Sequence, residues 1–230
     1  MENKTSKYFK YAIGEIVLVV LGILIALQIN NWNEQRKDYK KEILVMSNLI
    51  QDLRSDSLSY AQNLKTLQEI NTLHQELYRI GVEGEGGIEI GNPNNIRRLP
   101  YHNPITKEND PEVANKISNN SIRKEIQTYF RFAKDMDDVY GEFEAVIQDR
   151  MRPYLTQQNA HDLSAWFKVK NVESVSLIGK EKLVELSQYP YFQQLLFEAS
   201  IKNTDVTNTL NDLIISNAKL IKILENNLYK

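Results

Sequence analysis

Residues 12–29 read AIGEIVLVVLGILIALQI, and every position from Ile16 to Leu27 is apolar or glycine. As a helix, Tyr11 to Ile29 covers roughly 28 Å at 1.5 Å per residue, about one hydrocarbon thickness. Tyr8, Phe9 and Tyr11 stand at one end and Trp32 at the other, where amphipathic rings favour the headgroup layer. Lys4, Lys7 and Lys10 precede the segment, a basic start that a secretory signal peptide shares. No small-x-small cleavage site follows the apolar core, because Ala26 is followed by Leu27, Gln28 and Ile29, and the helical pattern runs on past Trp32. The expectation is an uncleaved transmembrane helix over residues 11–31, behind a short tail of residues 1–10.

Basic residues flank both ends of this segment: the three lysines before it, and Arg36, Lys37, Lys40 and Lys41 after it. Their count alone does not orient the span. A very short charged tail is expected to stay in the cytoplasm while the large C-terminal part is exported. Glu15, Gln28 and Asn30 are costly in lipid and tolerable near the interfaces, where they stay hydrated. Gly22 and Ala26 form a small-xxx-small pair that lets two helices approach closely, and they are the candidate residues for association within the bilayer.

Averaged over 230 residues, 42% hydrophobic and 25% charged is ordinary for a globular protein, so the average conceals the apolar segment. The absence of cysteine excludes disulfides, thiolate zinc sites and cysteine nucleophiles. Residues 1–41 hold seven Lys/Arg against four acids, which leaves the remainder net acidic, 21 against 26. A net-acidic soluble part without a basic cluster argues against nucleic acid as a partner.

Beyond the apolar segment, Ile43, Met46, Ile50, Leu53, Tyr60, Leu64 and Leu67 alternate at steps of three and four, with Ser57 at the one polar step. After Leu67 the phase slips to Ile70, Leu73, Leu77 and Ile80. The reading is a long amphipathic, coiled-coil-like helix over 32–80, with Asn30–Asn33 and Ser55–Ser59 the places for a bend. Residues 81–111 concentrate glycine and proline and read as one long connection, with a small hairpin around Ile88–Ile90. Residues 112–230 form the rest of a helical bundle. Asn120 or Ser121 caps a helix that carries Ile122, Ile126, Tyr129, Met136, Tyr140, Phe143 and Ile147, and Pro153 ends or bends it. Trp166, Phe167, Val169 and Val172 suggest a packed loop or short strand. A short helix at about 180–187 precedes Pro190, which suits a first helical turn, and Phe192 to Leu224 again follow helical spacing. Long amphipathic helices with one apolar face bury it by packing together, so the expected fold is mostly α: a transmembrane helix continuing into an antiparallel helical bundle.

GEIVLVVLGILIALQINNWNE (Gly14 to Glu34) resembles the N-terminal signature of an uncharacterised family of single-pass envelope membrane proteins associated with the Bacteroidota. KISNNSIRKEIQTYF (Lys116 to Phe130) and YPYFQQLLF (Tyr189 to Phe197) resemble that family's helix starts more loosely. The resemblance implies an envelope location and a helical domain; with the short charged tail in the cytoplasm, the expectation is a single pass through the bacterial inner membrane with the C-terminal domain periplasmic. It supplies no catalytic residue.

His74, His102 and His161 belong to no metal-ligand pattern and read as surface or interface residues. Asp135, Asp138 and Glu142 share one helix face, best read as solvated. The glycines of 81–91 lack the GK[ST] of a phosphate loop. No residue is therefore named as catalytic, cofactor-binding or metal-binding. Arg97, Arg98, Tyr101 and His102, clustered in the long connection, are the candidate partner-binding loop. The leading expectation is a non-enzymatic, membrane-anchored interaction module that assembles with itself or with another envelope protein. The alternative is a membrane-tethered sensory or small-ligand-binding domain that acts through a partner.

Overall fold

A computed structural model describes residues 4–108, 111–168 and 176–228. The expected features at Val169 and Val172 lie outside the described residues. Nearly all of the regular structure is helical, as the sequence predicts: α1 (Lys4–Gly81), α2 (Ile105–Glu108), α3 (Asn120–Ala145), α4 (Arg152–Gln157), α5 (Leu163–Lys168), α6 (Lys180–Leu186) and α7 (Pro190–Leu228). The only β pairing among the described residues is an isolated antiparallel bridge between His161 and Ile178.

The chain divides into two compact units, Met1–Asn48 and Leu49–Lys230, and α1 contributes to both. In the first unit every side chain from Ala12 to Lys41 is exposed. Ile16, Leu18, Leu21, Leu24 and Ile29 show 52–73% of their surface. Past Trp32 the exposed face becomes charged. Glu34 pairs with Lys37 at 2.9 Å and Asp38 with Lys41 at 3.0 Å, solvated contacts worth a few tenths of a kcal/mol each.

The second unit is built on three long helices. α7 runs antiparallel to the second half of α1: Asn217 faces Leu53, Asn203 faces Leu67, and Ser200 faces His74. It is antiparallel to α3 as well, with Lys219 on Glu125 at 2.7 Å and Lys202 on Glu142 at 2.5 Å. The second half of α1 and α3 are therefore parallel, and residues 82–119 must bring the chain back along the bundle. Gly91 to Thr106 do so as a packed strap that descends beside α1. Gly91 N–H meets the Glu76 carboxylate, Arg98 meets Glu69, the Tyr101 carbonyl meets Asn63, and Ile105 and Thr106 meet Asp56. From Glu76 to Asp56 is about 30 Å of helix axis, so the strap advances about 2 Å per residue, between helical and strand rise. The topology is up-down-up-down, with a second element that is irregular apart from short helical turns.

No hairpin forms around Ile88–Ile90. That stretch is needed for the descent, and Ile90 is buried instead. Pro93, Ile96, Pro100 and Pro104 are also buried, and a 3-10 turn at Pro93–Arg97 is capped by Asn92. Proline suits this path, since its fixed φ lowers the entropy lost on ordering an irregular segment.

Along α1 the buried seam is Leu49, Leu53, Asp56, Tyr60, Asn63, Leu67, Ile70, His74 and Leu77, an unbroken alternation of steps of four and three. The expected phase slip after Leu67 does not occur. It came from following Ile50, Ser57 and Leu64, of which Ser57 and Leu64 are only half-buried, instead of the polar seam residues Asp56, Asn63 and His74. Neither expected bend interrupts the helical assignment. On α7, Phe192, Leu196, Ala199, Asn203, Val206, Leu210, Leu213, Asn217, Leu220 and Leu224 form the matching seam. Each fully buried aliphatic side chain contributes about 1.5–3 kcal/mol relative to exposure.

Asn119, one residue before the expected position, caps α3 by accepting from Ser121 and Ile122 N–H. Pro153 does not end the helix, which continues as α4 to Gln157. A π turn at Val146–Met151 precedes the proline, and the Arg152 N–H bonds to Ile147 five residues back. The wider turn accommodates a ring that carries no N–H and would crowd the carbonyl four residues earlier. Trp166 and Phe167, expected in a packed loop or strand, lie exposed on α5.

α1 closes at Gly81 against the α6–α7 corner. Gln188 donates to the Ile80 carbonyl at 3.2 Å and Gln193 to that of Gly81 at 3.1 Å, satisfying acceptors that a helix end leaves free. A Cβ at Gly81 would stand 2.0 Å from the Ser187 carbonyl oxygen. Gly81→Ala is expected to destabilise the bundle by about 2 kcal/mol or more through this backbone clash. Leu210→Ala should cost about 2–5 kcal/mol by opening a cavity. Both are read from denaturant unfolding of the solubilised protein, and wild-type midpoints would contradict the packing described.

Candidate functional site

Two features bring polar groups together in the second unit: a chain of buried hydrogen bonds beneath the strap and an open groove at the α1–α7 corner. The first is anchored on Asp56, which is 1% exposed. Its carboxylate accepts from Ile105 N–H at 2.6 Å, Thr106 N–H at 3.0 Å and the Thr106 hydroxyl at 2.6 Å. A side chain of α1 thereby caps the one-turn helix α2. Thr106 Oγ1 lies 2.9 Å from the Tyr129 hydroxyl, which lies 3.0 Å from that of Tyr60. Burial pushes both phenols up, so they remain neutral hydroxyls.

His102 stands next to this chain, its side chain 2% exposed, with ring centroids 6.4 Å from Tyr60 and 5.5 Å from Tyr140. Its Nε2 is 3.4 Å from the Asp137 carboxylate, an ion pair only when the ring is protonated, and neither ring nitrogen has a hydrogen-bond partner. Desolvation lowers its pKa against the opposing pull of Asp137, and Lys107 holds Asp137 at 2.9 Å from the other side. This histidine, expected at the surface or an interface, sits in an aromatic pocket, because the Tyr101 carbonyl is tied to Asn63 and the Pro100 carbonyl to the Tyr140 hydroxyl at 2.6 Å.

The four residues of the candidate partner-binding loop therefore face different ways. Tyr101 is 77% exposed while His102 is inside. Arg98 pairs with Glu69 at 2.7 Å. The Arg97 side chain lines a cavity of about 330 Å³ with Trp166 and Phe167, while its carbonyl accepts from Arg152. Desolvation, then the neighbouring Arg152 charge, lowers the Arg97 pKa. Gly22 and Ala26 are exposed, and nothing approaches within 4 Å of a Cβ built at Gly22, so this face of the helix is open. Among the described residues no group of three or more His, Cys, Asp or Glu is arranged to hold a metal ion.

The groove measures about 630 Å³ and lies between the last turns of α1 and the first turns of α7. Its floor carries His74, 2% exposed, whose Nδ1 is 3.1 Å from the Ser200 hydroxyl and whose Nε2 has no partner. Ser200 also bonds back to the Leu196 carbonyl at 2.8 Å. Of the surface and interface positions expected for it, His74 takes the second, at a seam position of α1 facing α7. Burial pushes its pKa down to about 4. A neutral histidine without a carboxylate partner is a weak base for activating Ser200. Tyr78 and Phe197 form the walls, 48% and 59% exposed, and Asn71, Gln75 and Gln194 add side-chain carboxamides.

Position in the heptad was the available signal for Asp56 and His74, since each takes its place in the three-four alternation of α1. Their partners Thr106 and Ser200 carried no signal of their own.

Asp56→Ala should destabilise the domain by about 3 kcal/mol, because the buried Thr106 N–H and hydroxyl and the half-buried Ile105 N–H lose their acceptor. Tyr129→Phe should cost about 1 kcal/mol. For His74 the unfolded chain takes up a proton near pH 6.5 and the folded chain only near pH 4. Its contribution is therefore intact above 6.5 and lost as pH falls towards 4, at about 1.4 kcal/mol per pH unit. Unfolding free energies of wild type and His74→Asn, measured from pH 7.5 to 4, should diverge in slope over that window and run parallel above it.

Comparison with known proteins adds one match. The model of a family of unknown function, DUF6090, fits residues 15–81, which are those of α1 from Glu15 to its end at Gly81. No curated protein and no solved structure matches the chain.

Proposed function

We propose that the chain is a single-pass, membrane-anchored helical interaction module of the bacterial cell envelope. In this reading residues 11–31 cross the inner membrane, the tail 1–10 stays in the cytoplasm, and the bundle is periplasmic. The module is non-enzymatic and assembles with a second copy or with another envelope protein, and an origin in the Bacteroidota accords with it. The observation that carries the reading is the uniform exposure of Ala12–Lys41, since α1 is apolar enough here to cross a membrane and nothing in the described chain covers it. The open face at Gly22 and Ala26 supports self-association through close helix approach. The continuation of α1 as a polar helix past Trp32 accords with a coiled-coil pairing of two copies.

A second reading, a membrane-tethered ligand-binding domain, is favoured by one specific observation, the groove floored by His74 and Ser200. Neutral polar groups around an apolar concavity suit a small molecule better than a second helix does.

Three measurements test the leading reading together. The full-length protein should stay with membranes after an alkaline carbonate wash, and Leu21→Arg should release a share of it. Protease added outside spheroplasts should digest the bundle. In mild detergent the particle mass should be that of a defined oligomer or a stoichiometric complex, and Gly22→Leu should weaken self-association about tenfold. A monomer with no co-purifying chain would overturn the assembly reading and leave the anchor standing.

A further inference from the structure

The α1–α7 groove has a chemical character that narrows its ligand. No Asp, Glu, Lys or Arg lines it. Two aromatic side chains stand about half exposed on its walls, one from each helix, Tyr78 and Phe197. The carboxamides of Asn71, Gln75 and Gln194 make no hydrogen bond within the described chain, whereas Gln193 is engaged by the carbonyls of Gly81 and Ser187. On the floor His74 keeps one ring nitrogen without a partner, although polar groups this buried are normally satisfied. The volume, about 630 Å³, lies within the roughly 300–1,000 Å³ of small-molecule sites.

We infer that this groove binds a neutral saccharide, with its ring faces against Tyr78 and Phe197 and its hydroxyl or amide groups on the free carboxamides. Each part of the lining matches a part of such a ligand. The C–H face of a pyranose ring is weakly positive and meets the negative face of an aromatic ring. Carboxamides offer a donor and an acceptor on one planar group and so serve adjacent hydroxyls. The missing charge removes any preference for anionic sugars and leaves no unpaired ion when a neutral one displaces water.

The combination recurs across the first turn of α7. Tyr154, Tyr189 and Tyr191 line a second cleft of about 610 Å³ with Gln157 and Gln158, and Tyr189 and Tyr191 are 47% and 60% exposed. Its two charged residues, Asp149 and Arg150, are of opposite sign. Aromatic rings on both sides of one helix start suit a chain of sugars better than a single ring.

This inference rests on the ligand-binding reading of the bundle and is independent of the anchor. The test uses full-length protein in a detergent without a sugar headgroup, titrated by calorimetry with the β-1,4 tetramer of N-acetylglucosamine and with a tetragalacturonate of the same length. The tetramer should bind saturably, and about tenfold more tightly than the charged oligomer. Tyr78→Ala and Phe197→Ala should each weaken binding about fivefold, with Phe197→Tyr restoring it and Trp166→Ala, on a different cavity, leaving it unchanged. Circular dichroism establishes that each variant is folded. Absence of saturable binding of the neutral tetramer, or binding indifferent to both aromatic substitutions, overturns the inference. A set of neutral aromatic amides separates the two possible failures. Amides that bind alone and are lost in Phe197→Ala keep a ligand site and remove the saccharide; if neither class binds, both fail. A co-purifying protein released by Phe197→Ala, with no saccharide bound, makes the groove a protein-docking surface and also overturns the inference.

Discussion

The grip of Asp56 on Ile105 and Thr106 is the interaction on which the bundle's topology depends. Two of its three long helices are parallel, so the chain has to return along the full length of the packed region between them, and an irregular return exposes backbone groups that must find partners. The strap finds them on α1 and α3: at Glu76, Asn63 and Asp56 in turn, with Tyr140 closing on Pro100. Asp56 is the last and most buried of these partners. Because its acceptors are met by two N–H groups and a hydroxyl, a carboxylate that would be unfavourable in an apolar core becomes a fixed point for the path.

Polar seam residues do the same for register. Asn203 reaches the Leu67 carbonyl, and Asn217 reaches that of Leu53 while accepting from Ser57. A slip of α7 by one turn would break both of these contacts together with the Ser57–Asn217 bond. Apolar seams of similar residues tolerate several alignments, and a few amides in them select one. The stability given up by replacing leucine with asparagine is exchanged for a single alignment of helices whose contacts are otherwise interchangeable.

These polar residues also explain what could be read from the chain and what could not. The apolar segment, the boundaries of α6 and α7, and the seams of α3 and α7 were legible because hydrophobic periodicity dominates there. On α1 the same rule led astray, since Asp56, Asn63 and His74 are core residues that a hydrophobic pattern counts as surface. The strap was legible only as a connection: glycine and proline content marks irregular backbone but does not say whether it packs. That depended on Ile90, Ile96 and the prolines meeting a face of α1 far away in sequence. The burial of His102 was not legible for the same reason, because it is decided by Tyr60 and Tyr140. The groove needs Tyr78 and Phe197 to be neighbours, which only the pairing of α1 with α7 brings about.

The pairing of α1 with α7 also bears on how the protein is made. Leu53 meets Asn217, and Leu67 meets Asn203, so the seam of α1 lacks its main cover until α7, 136 to 164 residues further along, has been synthesised. At about 5–20 residues per second that delay is on the order of 10–30 s, far longer than helix formation takes. For that interval α1 is a finished helix with an unfinished face. Asp56, Asn63 and His74, spaced along that face, break its leucines and isoleucines into short runs, and so limit what the nascent chain offers to other unfinished chains before α7 arrives.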